Sequence, residues 1–180
     1  VSGVEVRPLT GADRTAWDVL WDGYLAFYAE QVLPDVTEVV FQRLTDAGWP
    51  AQRGFLALRD GRAVGFAHVG VQPSTWAVES DGYLEDLYVD PAARGTGAGR
   101  ALLDHLHEVG TESGWRRVHW LTDTDNTNAR RLYDRAGELR HEVRYVLPLP
   151  TGDDDQRASG DDHQRASGDD HQRASGDDVA

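Results

Sequence analysis

The chain has 180 residues, no cysteine and a formal net charge of −13, from 31 acidic against 18 basic side chains. The missing cysteine excludes disulfides, thiolate nucleophiles and cysteine metal sites, and the acidity repels nucleic acid while attracting cationic partners. The length suits one domain with its own core. No run of eighteen apolar residues occurs and the first nine residues lack a basic-then-apolar pattern, so a soluble, cytoplasmic protein that does not enter the membrane is expected.

Val4 to Pro8 alternates as a short strand, and Thr10 with Asp13 three residues on forms a capping-box start for a helix. That helix carries Trp17, Leu20, Trp21, Tyr24, Leu25 and Tyr28 at helical spacing, a wide apolar stripe. A second helix is expected from about Asp35, with Val36, Val39, Val40 and Leu44 on one side. Arg53 to Arg59, the Asp60-Gly61 turn and Arg62 to Val71 read as an antiparallel hairpin, and Tyr83 to Val89 as a further strand.

The next segment holds most of the functional information. Arg94-Gly95-Thr96-Gly97-Ala98-Gly99-Arg100 places three glycines at alternate positions between a strand and a helix. Such a turn lets backbone N–H groups converge on phosphate oxygens, assisted by the positive end of the helix that begins near Gly97. Leu102, Leu103, Leu106 and Val109 give that helix its buried stripe, and Gly110 to Gly114 end it. Arg117 to Leu121 is expected as a strand. Asp125 or Asn126 caps a fourth helix containing Ala129, Leu132, Tyr133 and Ala136, and His141 to Leu147 is expected as a last strand. The whole is an α/β domain over residues 1–150, a mixed sheet with helices on both faces.

Beyond Pro150 the octapeptide Asp-Asp-His-Gln-Arg-Ala-Ser-Gly repeats, without any large apolar residue, so residues 151–180 are expected to be a disordered acidic tail. Nine Asp and three Arg there account for −6 of the charge, leaving −7 in the body. None of the histidines His68, His105, His107 and His119 forms a metal-ligand pattern, and no metal is expected.

Together these features resemble the GCN5-related N-acetyltransferase superfamily over nearly all of residues 4–147. Arg94 to Gly99 fits its acyl-coenzyme A signature R-x-x-G-x-G, and Asn126-Thr127-Asn128-Ala129-Arg130-Arg131-Leu132-Tyr133 fits its second signature N-x-x-A-x-x-L-Y. Tyr83-Leu84-Glu85-Asp86-Leu87-Tyr88-Val89 and the Trp120-Leu121-Thr122 strand are most similar to the diamine and histone/polyamine subgroup. The Gly-Phe pair usual after the second signature is Gly137-Glu138 here. The resemblance implies a mostly antiparallel sheet with a splayed strand pair that receives acetyl-CoA. It also allows a homodimer.

What the resemblance implies for the site is specific. Backbone groups of Leu87, Tyr88 and Val89 pair with the pantetheine amides, while Arg94, Gly95, Thr96, Gly97, Ala98, Gly99 and Arg100 hold the phosphates. Asn126, Ala129 and Tyr133 complete the cofactor side. An alkyl ammonium has a pKa of ~10.4, so a base must free the amine, and Glu85 is the candidate. In a regular strand Glu85 shares a face with Tyr83, Leu87 and Val89 and Asp86 lies opposite; a bulge, which the superfamily carries near here, lets either carboxylate reach the amine. Tyr133 is the candidate proton donor to the leaving sulfur. Trp21, Tyr24, Glu85 and Asp86 are candidate contacts to a small cationic amine. The implied activity is N-acetyl transfer to a primary amine of a polyamine-like, aminoglycoside-like or amino-acid-like molecule. The alternatives are acetylation of protein lysines or N-termini, and a non-catalytic acyl-CoA-binding module.

Overall fold

The computed structural model describes residues 3–149. Strand β1 (Val4–Pro8) leads through a single 3-10 turn, Gly11–Asp13, into helix α1 (Arg14–Tyr28). The Asp13 carboxylate accepts from the backbone N–H and the hydroxyl of Thr10, at 2.9 and 2.7 Å, and pairs with Arg7 at 2.7 Å. This pins the start of α1 to β1. Ala29, in the left-handed region at φ 54°, ends the helix.

Helix α2 (Pro34–Thr45) has proline in its first turn, where the missing N–H costs nothing. Its buried residues are Phe41 and Leu44, with Val40 packed partly against them, whereas the expected Val36 and Val39 are exposed. The phase of the helix is set by Phe41, whose ring lies 5.0 Å from that of Trp17. One aromatic ring in the core outweighs two valines on the adjoining face.

Strands β2 (Gln52–Arg59) and β3 (Arg62–Gln72) form the expected hairpin, and Asp60 and Gly61 both take positive φ, the turn whose twist matches the strands. Strand β4 (Asp81–Val89) pairs antiparallel with β3. Helix α3 (Ala98–Glu112), strand β5 (Val118–Trp120) and helix α4 (Thr127–Tyr133) complete the order. The sheet runs β1-β2-β3-β4-β5, antiparallel except for the parallel β4–β5 pair.

Alternate residues of the sheet feed two cores. Leu56, Phe66 and Tyr88 pack with Trp17, Leu20, Trp21, Phe41 and Leu44 of α1 and α2. Phe55, Ala57, Ala67, Val69 and Leu84 pack with Ala98, Leu102, Leu103 and Leu106 of α3. At the start of β4 the buried Asp81 carboxylate binds Arg116 and Arg117 at 2.7 and 3.0 Å, tying β4 to the run into β5.

The expected strand from His141 to Leu147 is not formed: residues 140–149 carry no regular secondary structure, and Val143, Tyr145 and Leu147 are exposed. Alternation supplies a face but not a ladder, and a strand is stable only with a paired neighbour. Residues 140–149 fall outside the first unit, and the expected acidic repeat tail lies outside the described residues.

Candidate active site

Strand β4 turns into α3 through a segment fixed by its own polar groups. Asp90 Oδ1 accepts the Ala92 N–H at 2.8 Å, and the Thr96 hydroxyl donates to the Ala93 carbonyl at 2.7 Å. Gly95 and Gly97 adopt φ of 77° and 92°, which only glycine takes without strain. Gly97 caps α3, so the first amides of a fifteen-residue helix open onto the turn. Gly99 serves a different purpose: a Cβ there would lie 2.9 Å from Leu132 Cδ2, and its absence lets α4 close against α3.

A cleft of about 530 Å³ lies along this turn. Leu87, Tyr88 and Val89 line one side, Arg94, Gly95, Gly97, Ala98, Gly99 and Arg100 its end, and Asn126, Ala129 and Tyr133 the other side. It exists because β4 and β5 part. Their register holds only from Gly82–Val118 to Leu84–Trp120, while β4 continues to Val89. Beyond Leu84 the strand has no β5 partner, the splay that the family resemblance implies, and its main chain is left to bond with another extended group.

The remaining expected cofactor residues divide by what holds them. Arg94 lies over the ring of Phe27 at 5.7 Å and donates from Nε to the Val89 carbonyl at 3.3 Å. Arg100 is tied to Asp104 at 2.8 Å and to the Arg135 carbonyl at 3.0 Å. Thr96 turns its hydroxyl back into the turn and is not part of the cleft lining. Asn126 Oδ1 caps α4 by accepting the Ala129 N–H at 3.3 Å. The residues present fit a diphosphate-bearing ligand: glycine amides, a helix start and the Arg94 guanidinium face one end of an extended groove.

Tyr133 projects from the end of α4 into this cleft, its ring 5.3 Å from Trp120. Burial, with a smaller contribution from Tyr28, pushes its phenol up to about 12. It therefore stays protonated at any physiological pH. Tyr28 is raised by burial and by the charges of Asp123 and Asp86.

On the α1 side of the sheet stands the acidic pair. The β3–β4 register slips by one residue between His68–Asp86 and Val69–Leu84, leaving Glu85 as the extra residue of a bulge. Leu84 and Leu87 both face the α3 core, so Glu85 and Asp86 lie together on the opposite side. Glu85 does not share a face with Leu87 and Val89 as it would in a regular strand. Its Oε1 lies where a Cβ on Gly70 would come within 3.3 Å. Burial, then the charge of Asp86, raises the Glu85 carboxyl.

Asp86 is held on both oxygens, by the Tyr24 hydroxyl at 2.5 Å and by His68 Nδ1 at 2.9 Å. Burial pushes its carboxyl up, but these hydrogen bonds more than offset that, so the net direction is down. Trp21 is buried, stacked on Trp17 at 5.3 Å and on Tyr24 at 5.4 Å, which makes it a wall behind Tyr24 rather than an exposed contact. Sequence reasoning gives His68, Trp17 and Phe27 no place in the site, setting Trp17 in the apolar stripe and His68 among histidines without a metal pattern. A histidine inside the apolar run Phe66-Ala67-His68-Val69 was the available signal, since a buried imidazole requires polar partners. Among the described residues no cluster of three or more His, Cys, Asp or Glu suits a metal ion, and no helix is long and apolar enough to cross a membrane.

A splayed strand pair, a glycine-rich turn at a helix start and a phenol beside the cleft define the architecture of an acyl-CoA-dependent acyltransferase. The sequence pattern of the Acetyltransferase (GNAT) family matches residues 17–137, and the chain belongs to that family. It is 34% identical over 146 residues to the D-amino-acid N-acetyltransferase HPA3 of Saccharomyces cerevisiae, covering 79% of this chain and 89% of the yeast protein. It is 31% identical over 148 residues to the mycothiol acetyltransferase of Pseudarthrobacter chlorophenolicus, covering 78% of this chain but only 44% of that protein.

Among solved structures, the ribosomal-protein-alanine N-acetyltransferase of Brucella melitensis superposes with a TM-score of 0.70 at 22% identity, over 82% of this chain and 100% of that one. The aminoglycoside acetyltransferase AAC(6')-Iy, bound to a CoA bisubstrate analogue, gives 0.72 at 20% identity, over 83% and 100%. These likenesses establish the fold. The chain is an acyltransferase enzyme with N-acetyltransferase activity, and acetyl-CoA is its co-substrate.

Proposed function

We propose that the chain acetylates a primary amine of a small cationic molecule, with Glu85 as base and Tyr133 as proton donor. The observation that carries this reading is the bulge at Glu85, which sets two carboxylates side by side at the point where β4 leaves β5. Bound acetyl-CoA supplies an acetyl thioester. Glu85 takes the first of the two protons that the acceptor ammonium loses in becoming an amide, freeing the lone pair that attacks the acetyl carbon. Tyr133 directs its O–H to the sulfur as the carbon–sulfur bond breaks; the second amine proton passes through solvent to the departing thiolate, directly or by replacing the Tyr133 proton, so one proton leaves through Glu85 and one ends on the thiol. Main-chain N–H groups among Leu87, Tyr88 and Val89 polarise the thioester oxygen. Arg94 and the amides from Gly95 to Arg100 hold the diphosphate.

The phenol's raised affinity for its proton defines how Tyr133 acts. Against a thiol whose ordinary pKa is about 8.5, complete transfer from a phenol near 12 is uphill. Tyr133 therefore stabilises the departing sulfur by donating a strong hydrogen bond, and gives up its proton only when solvent can restore it. The acidic surroundings, Glu85, Asp86 and Asp123, favour a cationic acceptor. Similarity to the yeast enzyme favours a second reading within this class, a D-amino acid acceptor.

The test is thiol release from acetyl-CoA with a panel of polyamines, aminoglycosides, D- and L-amino acids and lysine peptides. Turnover with a small amine supports the proposal. Peptides outcompeting every small amine would assign the chain to protein acetylation. Binding of acetyl-CoA without any acetylated product would assign it to a non-catalytic module.

A further inference from the structure

Behind Asp86 lies a buried arm that the proton transfers above do not use. His68, 2% exposed, stands mid-strand in β3 with its ring stacked on Phe66, centroids 4.3 Å apart. Its two nitrogens face different partners. Nε2 lies 3.0 Å from the indole nitrogen of Trp17, and Nδ1 lies 2.9 Å from Asp86 Oδ2. An indole N–H only donates, so Nε2 is the acceptor and the ring hydrogen sits on Nδ1, aimed at the carboxylate. The Tyr24 hydroxyl donates to the other oxygen. Trp17 and Tyr24 are seven residues apart on one face of α1, two turns of helix.

We propose that Trp17 and His68 are positioning residues of the transfer site: the Trp17 indole locks His68 in its Nδ1–H tautomer, and that N–H, with the Tyr24 hydroxyl, fixes Asp86 as an immobile carboxylate beside Glu85. The inference rests on the acetyl-transfer reading of the same site. In the other tautomer the ring turns a lone pair toward Asp86, and the carboxylate loses a donor that burial denies it from water. Asp86 then swings away and the acceptor ammonium loses the second of its two anionic neighbours. With the lock in place, both carboxylates converge on one point, and the ammonium is held with a proton directed at Glu85. Asp86 acts through this placement and not by taking the proton, because each of its oxygens already has a donor.

The experiment combines ¹⁵N NMR of the histidine rings with steady-state kinetics of Trp17→Phe, His68→Asn and His68→Leu. In the wild-type protein His68 shows a protonated Nδ1 and an unprotonated Nε2. Trp17→Phe keeps the aromatic packing but removes the donor; the His68 tautomers mix and kcat falls roughly tenfold, with KM for acetyl-CoA unchanged within about twofold. His68→Leu loses at least as much. His68→Asn, whose amide N–H replaces Nδ1–H, restores kcat to within about threefold of wild type. A wild-type spectrum with hydrogen on Nε2, or wild-type kcat in Trp17→Phe, overturns the inference whether or not His68→Leu folds. A wild-type protein that transfers acetyl to no acceptor overturns the acetyl-transfer reading instead, and the two failures are told apart by that control.

Discussion

Glu85 and Asp86 are consecutive in β4 and yet stand on the same side of the sheet, because the strand gains one residue against β3 at Glu85. Their environments then diverge. Asp86 is gripped by Tyr24 and His68 and held ionised, while Glu85 keeps its oxygens for exchange and has its proton affinity raised by burial and then by its neighbour. Two adjacent carboxylates with opposite shifts are suited to separate tasks, one as fixed charge and one as base.

Glu85→Gln should lower kcat about a hundredfold while acetyl-CoA affinity stays within about twofold of wild type. In the wild type, kcat/KM falls as pH drops through the raised Glu85 value, because the protonated carboxyl is no base. Asp86→Asn removes the adjoining negative charge, lowers that value, and moves the acid limb of the profile to lower pH. A limb that stays in place would show that another group titrates. Rate measurements across the acid range, with unfolding checked by circular dichroism, decide it.

Tyr133→Phe should reduce kcat by roughly ten- to a hundredfold and leave acetyl-CoA affinity nearly unchanged, because the ring still packs on Trp120. With the phenol pushed up to about 12, no alkaline loss of activity near pH 8 or about pH 9 should arise from Tyr133. Stopped-flow detection of thiol release separates this from slow product dissociation.

Gly97→Ala places a side chain at φ 92° in the turn that faces the cleft. It should cost about 1 kcal/mol, or about 2–4 °C in Tm, and weaken acetyl-CoA binding at least tenfold as the turn relaxes. Gly61→Ala, at φ 75° in the β2–β3 turn, should cost similar stability without touching affinity. Calorimetric Kd values for the two variants distinguish a cradle from a merely strained loop.

The protein should lose stability steeply in acid through Asp13 and Asp81. Hydrogen bonds from Arg7 and Thr10 hold Asp13, and those from Arg116 and Arg117 hold Asp81, below the ordinary carboxylate range, against the opposing effect of burial. A depressed carboxyl contributes stability that is complete above its unfolded value, near 3.9, and is lost as pH falls through the folded one. Asp13→Ala should cost about 1–2 kcal/mol at neutral pH, less in acid, as read by urea unfolding at both pH values.

Much of this was written in local pattern. The Asp60-Gly61 turn, the capping box at Thr10 and the glycine spacing from 95 to 99 each depend on a few neighbouring residues, and each appears as expected. What depends on partners distant in sequence was not legible. The bulge at Glu85 arises from its register with β3; the family resemblance implies a bulge near here, but nothing within β4 itself distinguishes it from a regular strand. The phase of α2 is set by Trp17 across the core, which favours Phe41 over Val36 and Val39. Residues 141–147 carry an alternating pattern, but alternation cannot supply the second strand. The Trp17–His68–Asp86 arm joins three elements, so no spacing within one of them announces it.

In the proposed function the cleft between β4 and α4 holds acetyl-CoA by the turn from Arg94 to Arg100 and presents its acetyl group to Glu85. Calorimetric titration of CoA into the wild-type protein and Gly97→Ala tests it most directly. One site per chain in the wild type and at least tenfold weaker binding in the variant are expected; absence of binding by the folded wild type, or equal affinity in both proteins, would contradict this placement of the coenzyme.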